Sequence, residues 1–225
     1  MTAAEARHRD WVRQAVAPSL FGDTRFATLL GRRAWLRLPE AIRRRFGRRL
    51  RAGESLVYRG NILETRMSQL GRCLAFLLQP FGAPLPLEAG AGGAPAVVTV
   101  TENTDGRGQF WTRQYNRRNA FPQIVHSMKR FSGPTGLEEE IGHGIGMTLK
   151  LEAGPAHLLF HSQAYFVTLL GRRLYLPPVF QPGRLVVGHH DRGAGVFDFT
   201  LDLTHPVFGE LLHQRARFCD METWT

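Results

Sequence analysis

Apolar side chains change their spacing part-way along the chain. In the first third they mostly recur every three or four positions, and from Val97 onward they alternate. WVRQAVAPSLFGD places Val12, Ala15 and Val16 at helical spacing ahead of a proline. DTRFATLL predicts a second helix, with Asp23 as its cap, Phe26, Leu29 and Leu30 on one face, and Gly31 as its stop. In LPEAIRRRFG, Pro39 opens a helix with Glu40 at its positive end. Leu38, Ile42 and Phe46 form its apolar stripe, and Gly47 caps its end. Arg43, Arg44 and Arg45 then fall on or beside the wet face, with Arg48, Arg49 and Arg51 beyond the stop. ESLVYRGNI reads as a strand. ETRMSQLGRCLAFLLQPFG reads as the best helix of the chain, burying Met67, Leu70, Leu74, Leu77 and Leu78.

The passage GAPLPLEAGAGGAPA marks a joint at about 83–95, between a helical part (1–82) and a β-rich part (96–220) of a single domain. AVVTVTEN and GQFWTRQYN are strands joined through the turn pair Asp105–Gly106. IVHSMKRF, LEEEIGHG, IGMTLKLEAG, AHLLFHSQAYFVTLLG, GRLVVGHHD, GVFDFTLDLTH and LLHQRARFC continue the series. Phe197, Phe199, Leu201 and Leu203 share one face while Asp198 and Asp202 take the other, as a strand with one packed side requires. The connections are too short for parallel crossovers. The pattern therefore predicts an α+β fold: a curved, mostly antiparallel sheet, shaped as a partial barrel or clam, with the N-terminal helices packed across one side.

At 43% hydrophobic residues, 225 residues suffice for a real core. The formal charge of +10 would attract polyanions or anionic membrane surfaces. Only Lys129 and Lys150 are lysines, and the arginine bias, with plentiful Ala, Gly and Pro, fits a GC-rich bacterial source. Two cysteines, Cys73 and Cys219, make neither a disulfide framework nor a zinc site, and a reducing cytoplasm is expected. The N-terminal MTAAEARHRDW lacks the apolar core of a signal peptide, and LAFLL and AYFVTLL are too short to span a membrane.

Several familiar motifs fail. GAGGAP lacks the third glycine of a dinucleotide loop, and GHGIG is followed by Met147 and Thr148 rather than a phosphate-loop ending; both read as turns or bulges. No nucleophile elbow, zinc-protease helix or deaminase signature is present. No nucleic-acid module accompanies the charge, so nucleic acid is not the expected partner. What remains is WTRQY. Trp111, Arg113 and Tyr115 share one strand face, and an arginine between two rings either clamps a polar or anionic ligand group or is pinned by Glu138 or Glu140. His189 and Asp191 share a side and could recruit His213 across the sheet for an acid–base or metal role, but solvated strand histidines are the expected case here, as for His205, and no metal is expected; His143 and His161 offer less.

Taken in order, LPEAIRR, LVYRGNI, FWTRQYN, LEEEIGHGIGMTLKLE, LLGRRLYLPPVFQPG and FDFTLDLTHPVFGELLHQRARF resemble the bacterial family called domain of unknown function 4166, over about residues 20 to 218. The resemblance matches its Trp-x-Arg-x-aromatic strand to Trp111, Arg113 and Tyr115, and its glutamate ahead of a glycine to Glu140 and Gly142. Its G-x-x-L-P turn corresponds to Gly171 through Pro177, with longer spacing, and its P-x-x-G element to Pro206 through Gly209. Phe46 stands where relatives often carry a histidine, which argues against a catalytic role for that position here. The resemblance implies an accessory role in small-molecule metabolism, beside a separate dehydrogenase-like or epimerase-like protein. No cofactor is expected from the motifs. Three readings follow. The first is binding of a small, partly apolar molecule in the concavity of the sheet, lined by Trp111, Arg113, Tyr115 and Glu140. The second is an enzyme using Glu138 or Glu140 with His189, its reaction class undetermined. The third is an adaptor presenting Arg43, Arg44, Arg45, Arg48 and Arg49 to nucleic acid or an acidic partner.

Overall fold

A computed structural model describes residues 22–82, 84–88, 92–117 and 119–220. The expected helix within WVRQAVA lies outside them. The described elements are helices α1 (Arg25–Leu30), α2 (Arg32–Arg37) and α3 (Glu40–Phe46), strand β1 (Ser55–Met67), helix α4 (Gln69–Leu77) and a 3-10 turn at Gln79–Phe81. Strands β2 (Pro95–Glu102), β3 (Gly108–Arg117), β4 (Ala120–Arg130), β5 (Glu138–Gly142), β6 (Ile145–Ala153), β7 (His157–Leu169) and β8 (Arg172–Tyr175) follow. After a second 3-10 turn, Pro178–Phe180, come β9 (Arg184–Gly193), β10 (Val196–His205) and β11 (Gly209–Cys219).

Neighbouring strands pair antiparallel. β1 pairs with both β2 and β11, β6 with β7, and β7 with β9. The sheet therefore returns to its start and closes as a 10-strand barrel, with β8 as an extra strand beside the end of β7. Closure is the first correction to the expected partial barrel or clam. It removes the exposed edges that an open sheet would carry. The second correction concerns β1. This strand runs through Met67, whereas the sequence assigned that stretch to a helix, and it pairs with β2 across the glycine- and proline-rich passage. β8 was not anticipated.

Helices are few, and they plug one end instead of lying across a side. Leu38, Ile42 and Phe46 are buried, as the stripe required, and Gly47 is the C-cap. A 10-strand barrel is wider than its own inward side chains can fill. At the plugged end the missing volume comes from the helices: Phe26 of α1 meets Phe46 edge-on at 5.2 Å, and both rings reach Phe160 of β7. Arg25 fixes this plug by reaching Asp23 and both oxygens of the buried Glu102 on β2, at 2.8 Å each.

The opposite end is covered by α4. Ser68 caps this helix by accepting from the Gly71 amide. Gly71 packs directly on β11, where a Cβ would meet the Leu211 carbonyl oxygen at 2.0 Å. Across the mouth, Phe81 reaches His143 in the β5–β6 turn, and a Cβ on Gly82 would meet Ile141. The segment beyond enters a gap in the wall, since β4 pairs with β5 only over Met128–Arg130. There Gln123 donates to the Leu85 carbonyl at 2.8 Å and accepts from the Leu87 amide at 3.0 Å. Replacing Gly71 by Ala should lift α4 from β11, because a backbone oxygen cannot move aside. Limited proteolysis should then cut residues 69–88 faster than in the wild type while the barrel stays intact.

Candidate functional site

The alternation of the strands decides which residues look inward. On β3 these are Gln109, Trp111, Arg113 and Tyr115, on β4 Gln123, Val125, Ser127 and Lys129, and on β5 Glu139 and Ile141, with Leu137 just ahead of that strand. The lower half, toward α3, is solid. Trp111 is buried there, stacked on Phe46 and edge-on to Phe199. His189 is buried beside it, its ring stacked on Phe197 at 4.6 Å. The upper half encloses a cavity of about 330 Å³ beneath α4. Leu74 and Leu78 form its roof, and Val98, Val125, Met147 and Leu201 stand among the apolar walls. This volume falls within the range of small-molecule sites.

The floor of the cavity is charged. Lys129 Nζ lies 3.0 Å from Glu139 and 4.6 Å from the centre of the Trp111 ring, a position that suits a protonated ammonium. Ser127 donates to Glu139 at 2.5 Å. Arg113 reaches Ser127 at 3.3 Å and Glu139 at 3.4 Å, both long contacts. Burial alone would raise the Glu139 carboxyl, but Lys129, Arg113 and the two hydrogen bonds outweigh it and hold the group at about 2. Burial pushes Lys129 below the ordinary lysine range, with Arg113 adding to that and Glu139 opposing it. Higher on the wall, Tyr115 and Tyr165 are kept as neutral phenols, raised by burial. Tyr165 donates to the Gly183 carbonyl at 2.9 Å, and Gln214 to Thr65 at 3.1 Å.

Of the four expected lining residues, Arg113 and Tyr115 face the cavity, and Trp111 packs beneath it. Glu140 does not: it points to the outer face, where it pairs with Arg130 at 3.4 Å. Glu138 is also outside the barrel interior, under Arg173 and Ser132. The carboxylate that meets Arg113 is Glu139, the middle of the three. Its place was signalled by Leu137 and Ile141, two positions to either side, whose apolar character fixes the inward parity. Ser127 and Lys129 had no such signal, because β4 carries Ile124 and Met128 on its other face.

The enzyme reading loses its geometry. Glu140 is on the outer surface, and His189 is inside the plugged half, pushed well below the usual histidine range by burial and by Arg45. The remaining histidines disperse. Asp191 faces Arg45 at 3.4 Å, His213 sits with Asp202 and Glu64, and His205 accepts from the Val207 amide in its turn. The arginine patch is also divided. Arg45 is buried, holding Asp220 through two hydrogen bonds of 2.9 Å and lying 4.3 Å from the Phe197 ring. Arg44 is exposed beside Asp220, and Arg48 approaches Glu54 at 3.6 Å.

Residues 38–218 match a protein family described as "Domain of unknown function (DUF4166)". The chain belongs to this family. The matched stretch includes α3, every strand and α4, so the DUF4166 segment carries both the barrel and its roof. No curated protein matches the chain. A solved structure from Thermobifida fusca YX, described as a "putative thioesterase II", aligns over 91% of this chain and 88% of its own, at 9% identity and a TM-score of 0.24. A likeness that slight carries no argument about the fold or chemistry of the DUF4166 barrel.

Proposed function

We propose that the barrel binds a small, mostly apolar molecule bearing one acidic group, with that group at Arg113 and its apolar body beneath α4. The observation that carries this reading is the charge at the cavity floor: Arg113 and Glu139 line a mostly apolar chamber, and Glu139 is shared with a second cation, Lys129, buried just behind it. A buried excess cation favours an anionic partner. Arg113 is the residue placed to meet it, because a guanidinium has five donors and its two protein contacts are long. An acid group there would accept from Arg113 and would also offset the repulsion between Arg113 and Lys129.

Decanoate and decanol differ only in the head group and test the reading as competitors for a fluorescent anilinonaphthalene sulfonate probe. A charge-assisted hydrogen bond in a dry site should favour decanoate by about ten- to a hundredfold. Arg113→Met should abolish that preference and leave decanol binding intact. Failure of both ligands to displace the probe, or an undiminished preference in Arg113→Met, would overturn the assignment.

A further inference from the structure

Large apolar side chains are exposed almost entirely at one end of the barrel. Among the described residues only Leu36 and Phe110 are exceptions, lying toward the plugged half. The others come from α4, from turns around the cavity mouth and from the mouth-side parts of β4, β7 and β8. Leu170, at the tip of the β7–β8 turn, is 95% exposed; Val179, Val207 and Phe180 each exceed 70%. On α4, Phe76 and Leu77 point outward while Leu74 and Leu78 roof the cavity, so the helix is apolar on both sides. Its polar residues, Gln69 and Arg72, are exposed beside that outer apolar pair. One side has the cavity, and on the other Phe76 and Leu77 stay uncovered among the described residues.

We propose that this rim docks on a bilayer surface containing anionic lipid, an inference that rests on the ligand reading above. Three features favour a bilayer over a protein partner. The apolar groups are separate tips on different segments and do not form one continuous groove, whereas a protein interface needs a packed, shape-matched centre. Arg72 and Arg172 stand beside these tips, both exposed and without an acidic partner among the described residues, where they meet lipid phosphates as the tips enter the acyl boundary. The tips also encircle the roof of an apolar cavity. An amphipathic ligand then moves between bilayer and barrel without its chain crossing water.

The test is co-sedimentation of the full chain with vesicles of phosphatidylcholine alone or with added phosphatidylglycerol. The wild type should bind the anionic vesicles, less so as salt rises. Leu170→Asp with Val179→Asp changes two exposed tips that do not line the cavity, and should weaken vesicle binding about tenfold or more. Decanoate binding in solution should be unchanged in that variant. No vesicle binding by the wild type, equal binding by the variant, or a rim buried in a solution dimer that the same variant dissociates would each overturn the docking proposal. Vesicle binding without decanoate binding would sink the ligand reading and support the docking surface.

Discussion

Glu139→Ala should lower the unfolding free energy by about 3–5 kcal/mol, the cost of leaving a buried charge without its counter-ion. The effect is large because Lys129 is 2% exposed and Glu139 is 4% exposed. With Glu139 gone, only the faces of Trp111 and Phe160 still favour the Lys129 ammonium against burial and the Arg113 repulsion. Urea unfolding at neutral pH reads the loss directly. Replacing both partners, as Lys129→Met with Glu139→Gln, should recover most of it, since an uncharged pair removes the cost of burying the charges together with their attraction, and the amide keeps an acceptor for Ser127. The acid limb gives an independent check. Glu139 is held at about 2, below the ordinary value of 4.5, so its contribution is complete above pH 4.5 and disappears as the pH falls toward 2. The doubly substituted protein should show a shallower decline across that window. Equal stability of wild type and Glu139→Ala would mean that the floor is not an ion pair.

Arg45→Ala should cost about 3 kcal/mol or more, while Arg44→Ala and Arg48→Ala should each stay within about 0.5 kcal/mol. All three belong to one arginine-rich stretch, and burial separates them. Arg45 lies inside the plug, doubly bonded to Asp220 and stacked over Phe197, whereas Arg44 and Arg48 hold looser, solvent-screened contacts. Thermal unfolding of the three variants in parallel distinguishes them. Similar midpoints for all three would return Arg45 to the wet surface.

That contrast shows where the sequence is legible. The stripe Leu38–Ile42–Phe46 is a 3.6-residue pattern, and it buries as written. Arg45 stands next to Phe46 and about 100° round the helix from it, at the border of the stripe, where periodicity alone leaves it on the wet side. Its partner Asp220 lies far along the chain, so no local pattern reveals it. The same holds for the barrel. Alternation on β10 is plain in Phe197, Phe199, Leu201 and Leu203, but closure also needs β1 to meet β11 from the far end of the chain, which periodicity does not encode. At the site, the alternation of WTRQY brings Arg113 and Tyr115 to the cavity, while the choice among Glu138, Glu139 and Glu140 turns on one residue of parity. In α4, Leu70 and Leu77 read as core because apolar helices usually are; their exposure is a property of the barrel mouth.

The most direct test is a crystal structure of the protein soaked with terminally brominated decanoate. The account predicts the carboxylate about 3 Å from the Arg113 guanidinium, with the bromine directed toward Leu74 and Leu78. A bromine signal outside the barrel, or a carboxylate remote from Arg113, would contradict it.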